Sequence, residues 1–353
     1  MKALALTVVA AALCALAVPV AVADLPLTAY PNSIASTGDS ITRAFNTCSS
    51  AFTDCPANSW STGTSATVKS HYVRILDANA AISGRTFNDA KTGAKMVDLA
   101  GQVQSSIAQQ AGYVTILMGA NDVCTSSESA MTPVATLRSQ LLTALTALSA
   151  GLPDARIFVA SIPDVYHLWQ ILHTNFGAIL TWSIGGICQS LLASPTSTSS
   201  TNNARRLRVR QRAIDDNAAI ADVCAQFIHC RYDNGAVFGT PFQTSDVSTR
   251  DYFHPSVSGQ TKLAGISWAA TFDFTDSVTP TTTASTAPNG FGGTDVALSA
   301  VDNVAVSGIE YRVGAATAWS RYTAPVSVPA GSSITFRSVD VNGNIEATHT
   351  LAL

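Results

Sequence analysis

The chain has 353 residues, of which 47% are apolar, 12% charged and 7% aromatic, with a net charge of −3. Such an apolar share fills a sizeable core and excludes a disordered main state, and the length suits two domains of roughly 150 residues or one larger α/β domain. Lys+Arg is 20 and Asp+Glu is 23, so there is no basic surplus of the kind a nucleic-acid binder carries.

Lys2 precedes an apolar run from Ala3 to Val22, and the run ends in Ala21-Val22-Ala23. A positive start, an apolar stretch and an A-x-A site form the pattern of a secretory signal peptide. Residues 1–23 are therefore expected to be removed, leaving Asp24 first and the protein secreted and extracellular. A membrane anchor is the rival reading; Pro19 and the A-x-A site favour cleavage. With Cys14 set aside, Cys48, Cys55, Cys124, Cys188, Cys224 and Cys230 remain. An even count in an oxidising compartment points to three disulfides. Spacing makes Cys48–Cys55 and Cys224–Cys230 the simplest pairs, which leaves Cys124–Cys188. No C-x-x-C occurs and the histidines are scattered, which argues against zinc.

From Ser33 to Phe274, strand-like and helix-like runs alternate. Ser33–Thr37, Tyr113–Met118 and Arg156–Ile162 read as buried strands, with Arg85–Asn88 and Phe227–Arg231 as shorter candidates. Helical periodicity covers Ala66–Ala78, Ala94–Ala111, Pro133–Ala150, Ala204–Ala225 and Val257–Ala270. This alternation predicts a parallel sheet covered on both faces. Val165 to Asn203 contains no Asp, Glu, Lys or Arg. Its Phe176–Ala193 portion is long enough to raise a membrane span, but motifs on both sides of it must meet in one site. A buried helix with a flap over an apolar pocket is expected instead. Trp169, Leu172, Phe176, Ile179, Leu180 and Trp182 either line an acyl-chain pocket or belong to the core. Arg205, Arg206, Arg208, Arg210 and Arg212 cluster on a predicted helix. A solvated face paired with Asp215 and Asp216 is the plainer reading; transient contact with an anionic lipid surface is the functional one.

After Phe274 the chain turns rich in Thr, Ser, Pro and Gly as far as Thr294. Alternating strands are then expected at Asp295–Ala300, Ile309–Val313, Pro325–Val328, Ile334–Val339 and Ile345–Leu351, with a hairpin turn at Asn342-Gly343. A small β-sandwich fits this pattern. The expected organisation is a signal peptide at 1–23, an α/β domain at 24–274, a linker at 275–279 and a β domain at 280–353.

Four short blocks carry chemistry. Gly38-Asp39-Ser40 follows the first strand, so Ser40 is expected at the carboxyl edge of the sheet and at a helix N-terminus. Asp251-Tyr252-Phe253-His254-Pro255 places Asp and His three apart, on one side of a helical turn. The carboxylate can hold the imidazole in one tautomer, and the imidazole can take and return the Ser40 proton. Gly119-Ala120-Asn121-Asp122 ends another strand and offers an amide donor, and Gly93, in Asn88–Gly93, allows close backbone approach. The other five histidines, His71, His167, His173, His229 and His349, read as structural.

Taken together in this chain order, the blocks resemble the GDSL, or SGNH, serine hydrolases, whose motifs are G-D-S, a Gly, G-x-N-D and D-x-x-H-P. The resemblance covers Pro31 to about Phe274. It implies a flavodoxin-like three-layer α/β/α fold with Ser40 as nucleophile and oxyanion donor. It further implies Gly93 and Asn121 as the other donors, His254 as base and Asp251 as its partner. No metal or organic cofactor is implied. Ser59–Gly63, Gly119–Cys124 and Asp251–His254 are similar to segments of phospholipase-B-like members. Asp340–Glu346 resembles the D-x-x-G-N-x-E end of bacterial Ig-like repeats. No G-x-S-x-G of the ordinary α/β-hydrolases is present. The expected function is a secreted, monomeric ester hydrolase acting on lipid or other esters. A carbohydrate O-acetyl esterase on the same fold is the alternative, and a wall-binding or adhesion role for the β domain is a reading of another class.

Overall fold

A computed structural model describes residues 30–353; the expected signal peptide and Cys14 lie outside the described residues. The chain runs β1 (Ile34–Gly38), α1 (His71–Ala78), β2 (Thr86–Asn88), α2 (Leu99–Ala108), β3 (Tyr113–Leu117), α3 (Ala120–Val123) and α4 (Val134–Gly151). It continues through β4 (Arg156–Val159), α5 (Val165–Leu172), α6 (Phe176–Gly185), α7 (Gln189–Leu192), α8 (Ser200–Cys224), β5 (Cys230–Tyr232) and α9 (Val257–Ala270). These strands pair in parallel in the order β2-β1-β3-β4-β5.

Successive strand residues face opposite sides of the sheet, and both sides are covered. Ala35, Val114, Ile116, Ile157 and Val159 pack under α2, α4 and α8 against Val103, Leu141, Leu145 and Ile220. Ile34, Tyr113, Leu117 and Phe158 face the other way, against Ile75 of α1 and Leu263 of α9. This is the three-layer α/β/α arrangement that the continuous apolar strands predict. His71 is structural: it is buried between Tyr113 and Ser267, and burial drives its pKa down to about 3.

Several boundaries differ from expectation for local reasons. α1 starts at His71 rather than Ala66, because Lys69 has φ +51° and Ser70 caps the helix by accepting from the Val73 N–H. β5 is displaced to Cys230–Tyr232 because the chain leaves α8 through a turn in which Cys230 N–H donates to Phe227 O. The uncharged stretch forms α5, α6 and α7, and no helix among the described residues is long and apolar enough to cross a membrane.

The C-terminal part consists of β6 (Thr281–Pro288), β7 (Thr294–Val301), β8 (Val306–Val313), β9 (Ser320–Arg321), β10 (Val326–Val328), β11 (Ser333–Asp340) and β12 (His349–Ala352). They form two antiparallel sheets, β10-β7-β6 and β12-β11-β8-β9. Val296, Leu298 and Val328 from one sheet meet Ile309, Ile334 and Phe336 from the other in a shared core. β6 lies in the Thr-rich segment for which no strand was expected; its side chains are almost all exposed, so no burial pattern marks it. The last strand runs from His349 to Ala352 and keeps only 349–351 of the expected 345–351 run, because Ile345 instead bridges back to Val339.

This β block docks on the amino edge of the parallel sheet. The turn after β11 inserts there: Arg156, the first residue of β4, donates to Asn342 O at 2.8 Å and to Asn344 Oδ1 at 3.2 Å. Gly343 is required at that turn, having φ +76° and lying where a Cβ would stand 2.6 Å from Arg156 Nε. Arg231 donates to Val341 O, and Arg337 of β11 reaches Asp154 at 2.8 Å.

Candidate active site

β1 delivers the first block to the opposite, carboxyl edge. Gly38 has φ +145°, and a Cβ there would meet Leu117 O at 2.3 Å and Thr42 Oγ1 at 2.6 Å. The Gln102 amide of α2 holds it on both sides, accepting from Gly38 N–H and donating to Gly38 O. Asp39 follows, fully buried; one oxygen accepts from Ile41 N–H, and the other has no partner among the described residues. Burial pushes its carboxyl up to about 6, against the opposing pull of the Ile41 N–H and His254.

Ser40 is not at a helix N-terminus. The segment after it forms successive turns, with Arg43 N–H donating to Asp39 O and Phe45 N–H donating to Ser40 O. Positive φ at Ala44 and Asn46, +50° and +68°, prevents an α-helix from continuing. The expected contribution of a helix dipole is therefore withdrawn. What the turns provide is a Ser40 N–H that has no hydrogen-bond partner among the described residues.

Asp251 and His254 sit in a loop just before α9, also not on a helix, with Tyr252 at φ +53°. The three-residue spacing still brings them together. His254 Nδ1 lies 2.7 Å from Asp251 Oδ2, and His254 Nε2 lies 2.7 Å from Ser40 Oγ. Asp251 is 4% exposed. Burial pushes its carboxyl up, but the His254 ring and the backbone N–H groups of His254 and Phe253 together outweigh this and hold it below its ordinary value. The carboxylate form beside the imidazole is thereby favoured.

Gly119 turns β3 into α3 at φ +119°, and Asn121 follows. Asn121 Nδ2 donates one hydrogen to Ala94 O at 2.9 Å and has a second to give. Lys91 N–H donates to Gly38 O, so the 91–94 loop is tied to β1 at one end and to Asn121 at the other. Gly93 lies between those ties at φ +80°, and its N–H has no partner among the described residues. Asp122 turns inward, accepting from Met96 N–H, and burial raises its pKa.

A cavity of about 80 Å³ opens beside these groups. Ser40, Asn121 and His254 share it with Val165, Leu168, Ile171, Phe242 and Phe253, among others. None of the six side chains proposed for an acyl pocket lines it. Trp169, Leu172 and Trp182 are core, packed with Leu191, Leu192 and Val209. Phe176 and Leu180 are exposed on α6. α5 turns Leu168 and Ile171 to the pocket and Trp169 and Leu172 to the core; all four are apolar, so hydropathy alone does not tell them apart.

The five arginines of α8 are engaged within the fold, and not with the expected carboxylates. Arg208 bridges to Glu128, Arg210 to Asp164, and Arg212 donates to Thr132 O. Arg205 and Arg206 donate to backbone carbonyls between Leu191 and Ser197. Asp215 accepts from Gln211, and both oxygens of buried Asp216 are unpartnered among the described residues. The sulfurs of Cys48 and Cys55, of Cys124 and Cys188, and of Cys224 and Cys230 stand 1.93, 2.10 and 2.08 Å apart.

Sequence reasoning missed Asn46, whose Nδ2 donates to Asp251, and Gln102, which clamps Gly38. Both act across more than sixty residues of chain, and no local pattern marks them.

The model of the GDSL-like lipase/acylhydrolase family matches residues 37–262. No curated protein matches the chain. Among solved structures, the chain is similar to a phospholipase A1 from Streptomyces albidoflavus, with 17% identity over 65% of this chain and 94% of that one and a TM-score of 0.39. It is also similar to the esterase EstA of Pseudoalteromonas, with 15% identity, 68% and 96% coverage and a TM-score of 0.35. A family two carbohydrate esterase from Clostridium thermocellum gives 14% identity, 67% and 62% coverage and a TM-score of 0.36. With more than half of its length matched, all four motif blocks included, the chain belongs to the GDSL-like lipase/acylhydrolase family.

Proposed function

We propose that the protein is a secreted serine hydrolase of carboxylic esters with apolar acyl groups, lipid esters foremost. Ser40 Oγ attacks the ester carbonyl carbon as its proton passes to His254 Nε2. The ester C–O bond then breaks, and the departing alcohol takes that proton. A water molecule, deprotonated by His254, attacks the acyl-enzyme and releases the acid with Ser40 restored. Asp251 holds the ring and stabilises its cation. The oxyanion receives the N–H groups of Ser40 and Gly93 and the second Asn121 hydrogen. The carrying observation is the pair of 2.7 Å separations, Asp251–His254 and His254–Ser40, opening on a pocket whose walls are largely apolar.

The cavity itself favours a second reading. Its volume of about 80 Å³ lies well below the roughly 300–1,000 Å³ of drug-sized ligand sites, which suits a short acyl group and hence a carbohydrate O-acetyl esterase. Hydrolysis of p-nitrophenyl esters from acetyl to palmitoyl, with Ser40→Ala alongside, separates the two. Turnover of long chains that disappears in Ser40→Ala supports the lipid reading. Turnover of acetate alone, still dependent on Ser40, supports the other. Equal activity in both proteins refutes Ser40 as nucleophile.

The remaining assignments belong to the same reading: a cleaved signal peptide at 1–23, a hydrolase domain at 24–274, a linker at 275–279 and an Ig-like β-sandwich at 280–353. The sandwich is a supporting appendage, since its contacts reach the sheet edge away from Ser40.

A further inference from the structure

We propose that Asn46 is a positioning residue for Asp251, presented by the Cys48–Cys55 loop. This rests on the reading of Ser40, His254 and Asp251 given above. Asn46 is buried at φ +68°, a left-handed conformation that Asn tolerates better than most residues. Its Nδ2 donates to Asp251 Oδ2 at 2.5 Å, the same oxygen that faces His254 Nδ1. Its Oδ1 accepts from Phe52 N–H, and its own N–H donates to Thr53 O. The amide is thereby locked with its N toward Asp251. The loop that locks it is closed by the Cys48–Cys55 pair. Arg250 holds the loop to the catalytic turn by donating to the Ser49 and Ser50 carbonyls.

Asp251 has two oxygens with different tasks. Oδ1 accepts from the N–H groups of Phe253 and His254, which shape the turn. Among the described residues, Oδ2 receives only the imidazole and Asn46. Asn46 therefore fixes the rotation of the carboxylate about its own axis and so the aim of the ring. A carboxamide suits the place because it donates without charge; a second carboxylate there would repel Asp251.

The decisive variant is Asn46→Asp, which keeps the shape and the acceptor for Phe52 N–H but removes the donor. The groups that face the ring or this loop are Asp251, Asp39, Arg250 and the Arg43–Asp54 pair. Adding one negative charge next to Asp251 favours the imidazolium. The expected result is a kcat on a p-nitrophenyl ester lower by roughly 10- to 100-fold with KM little changed. The acid limb of the kcat–pH profile moves to higher pH. Asn46→Gly, which keeps the backbone conformation, is expected to lower kcat also. In an Asp251→Ala background either substitution should cost nothing further, because the residue acts through Asp251.

A wild-type kcat and pH profile in Asn46→Asp, or an undiminished loss in the Asp251→Ala background, overturns the proposal. If Ser40→Ala is inactive while Asn46→Asp is unaffected, this inference alone fails. If Ser40→Ala keeps its activity, the catalytic reading fails with it.

Discussion

The two edges of the parallel sheet are built to opposite rules. At the amino edge, where the β block docks, the arginines are paired: Arg156 is met by Asn342 and Asn344, and Arg337 by Glu310 and Asp154, while the buried His229 ring stands 3.5 Å from Glu310 without a hydrogen bond among the described residues. At the carboxyl edge, hydrogen-bonding capacity is left open. The Ser40 and Gly93 N–H groups, one Asn121 hydrogen and one oxygen each of Asp39 and Asp122 are unpaired among the described residues. Positive φ values gather there too, at Gly38, Asn46, Gly93, Gly119 and Tyr252. Buried polar groups are normally satisfied, and exceptions cost stability. One edge thus spends its arginines on docking the β block, whereas the other keeps donors and acceptors free beside a pocket.

The sharpest test of this division is Arg156→Ala. It leaves the buried Asp340 carboxylate and two amide oxygens without their cation, and should cost about 3–5 kcal/mol of stability, read as a lower urea midpoint. The kcat of the surviving folded enzyme should stay within about twofold, because the site is at the far edge. A kcat that fell together with stability would break the comparison. Asn121→Ala should do the reverse, lowering kcat by roughly 10²–10³, or about 2.7–4 kcal/mol, while the unfolding midpoint moves little.

Stability should also depend on pH through the buried carboxyls. Burial raises Asp39 to about 6 and Asp216 to about 7 in the folded chain, above the 3.8 of the unfolded one. Such groups contribute stability that is fully present below pH 3.8 and is lost as pH rises through the folded values. Each of these carboxyls should therefore withdraw on the order of 3 kcal/mol between about pH 4 and pH 7, while His71, whose pKa burial lowers to about 3, adds stability as pH rises over much of the same range. Asp216→Asn should flatten the upper part of that decline in a series of denaturation curves. A pH series above about pH 6 that is the same in Asp216→Asn as in the wild type would mean that this carboxyl is solvated.

The smallest effect concerns acyl preference. Ile171→Ala, in the pocket wall, should shift the ratio between neighbouring acyl lengths by roughly 1–3 kcal/mol. Trp169→Ala should lower stability and leave that ratio unchanged, since Trp169 packs in the core.

Much of this was legible in the chain. The strands at Ile34–Gly38, Tyr113–Leu117 and Arg156–Val159 are short runs, apolar or small apart from Arg156, and α9 begins and ends at the Val257 and Ala270 that its periodicity indicates. Asp251 and His254 were found because three residues of any tight turn keep two side chains on one side, whether or not the turn is helical. The helix expected after Ser40 failed, because its pattern carries no mark of the positive φ at Ala44 and Asn46. β6 was missed because an exposed Thr-rich edge strand looks like a linker.

What the sequence determines by itself is local: the alternation that makes a parallel sheet, the turns that need Gly38, Gly93 and Gly119, and the order of the four motif blocks. Tertiary structure alone decides which side chains meet. It sets Asn46 against Asp251 across 205 residues, seats Gly343 on Arg156, and turns Leu168 and Ile171 to the pocket while Trp169 goes to the core. The reason is physical: local pattern follows from bond geometry and periodic burial, whereas partners distant in sequence are chosen by packing and by the need to satisfy buried polar groups.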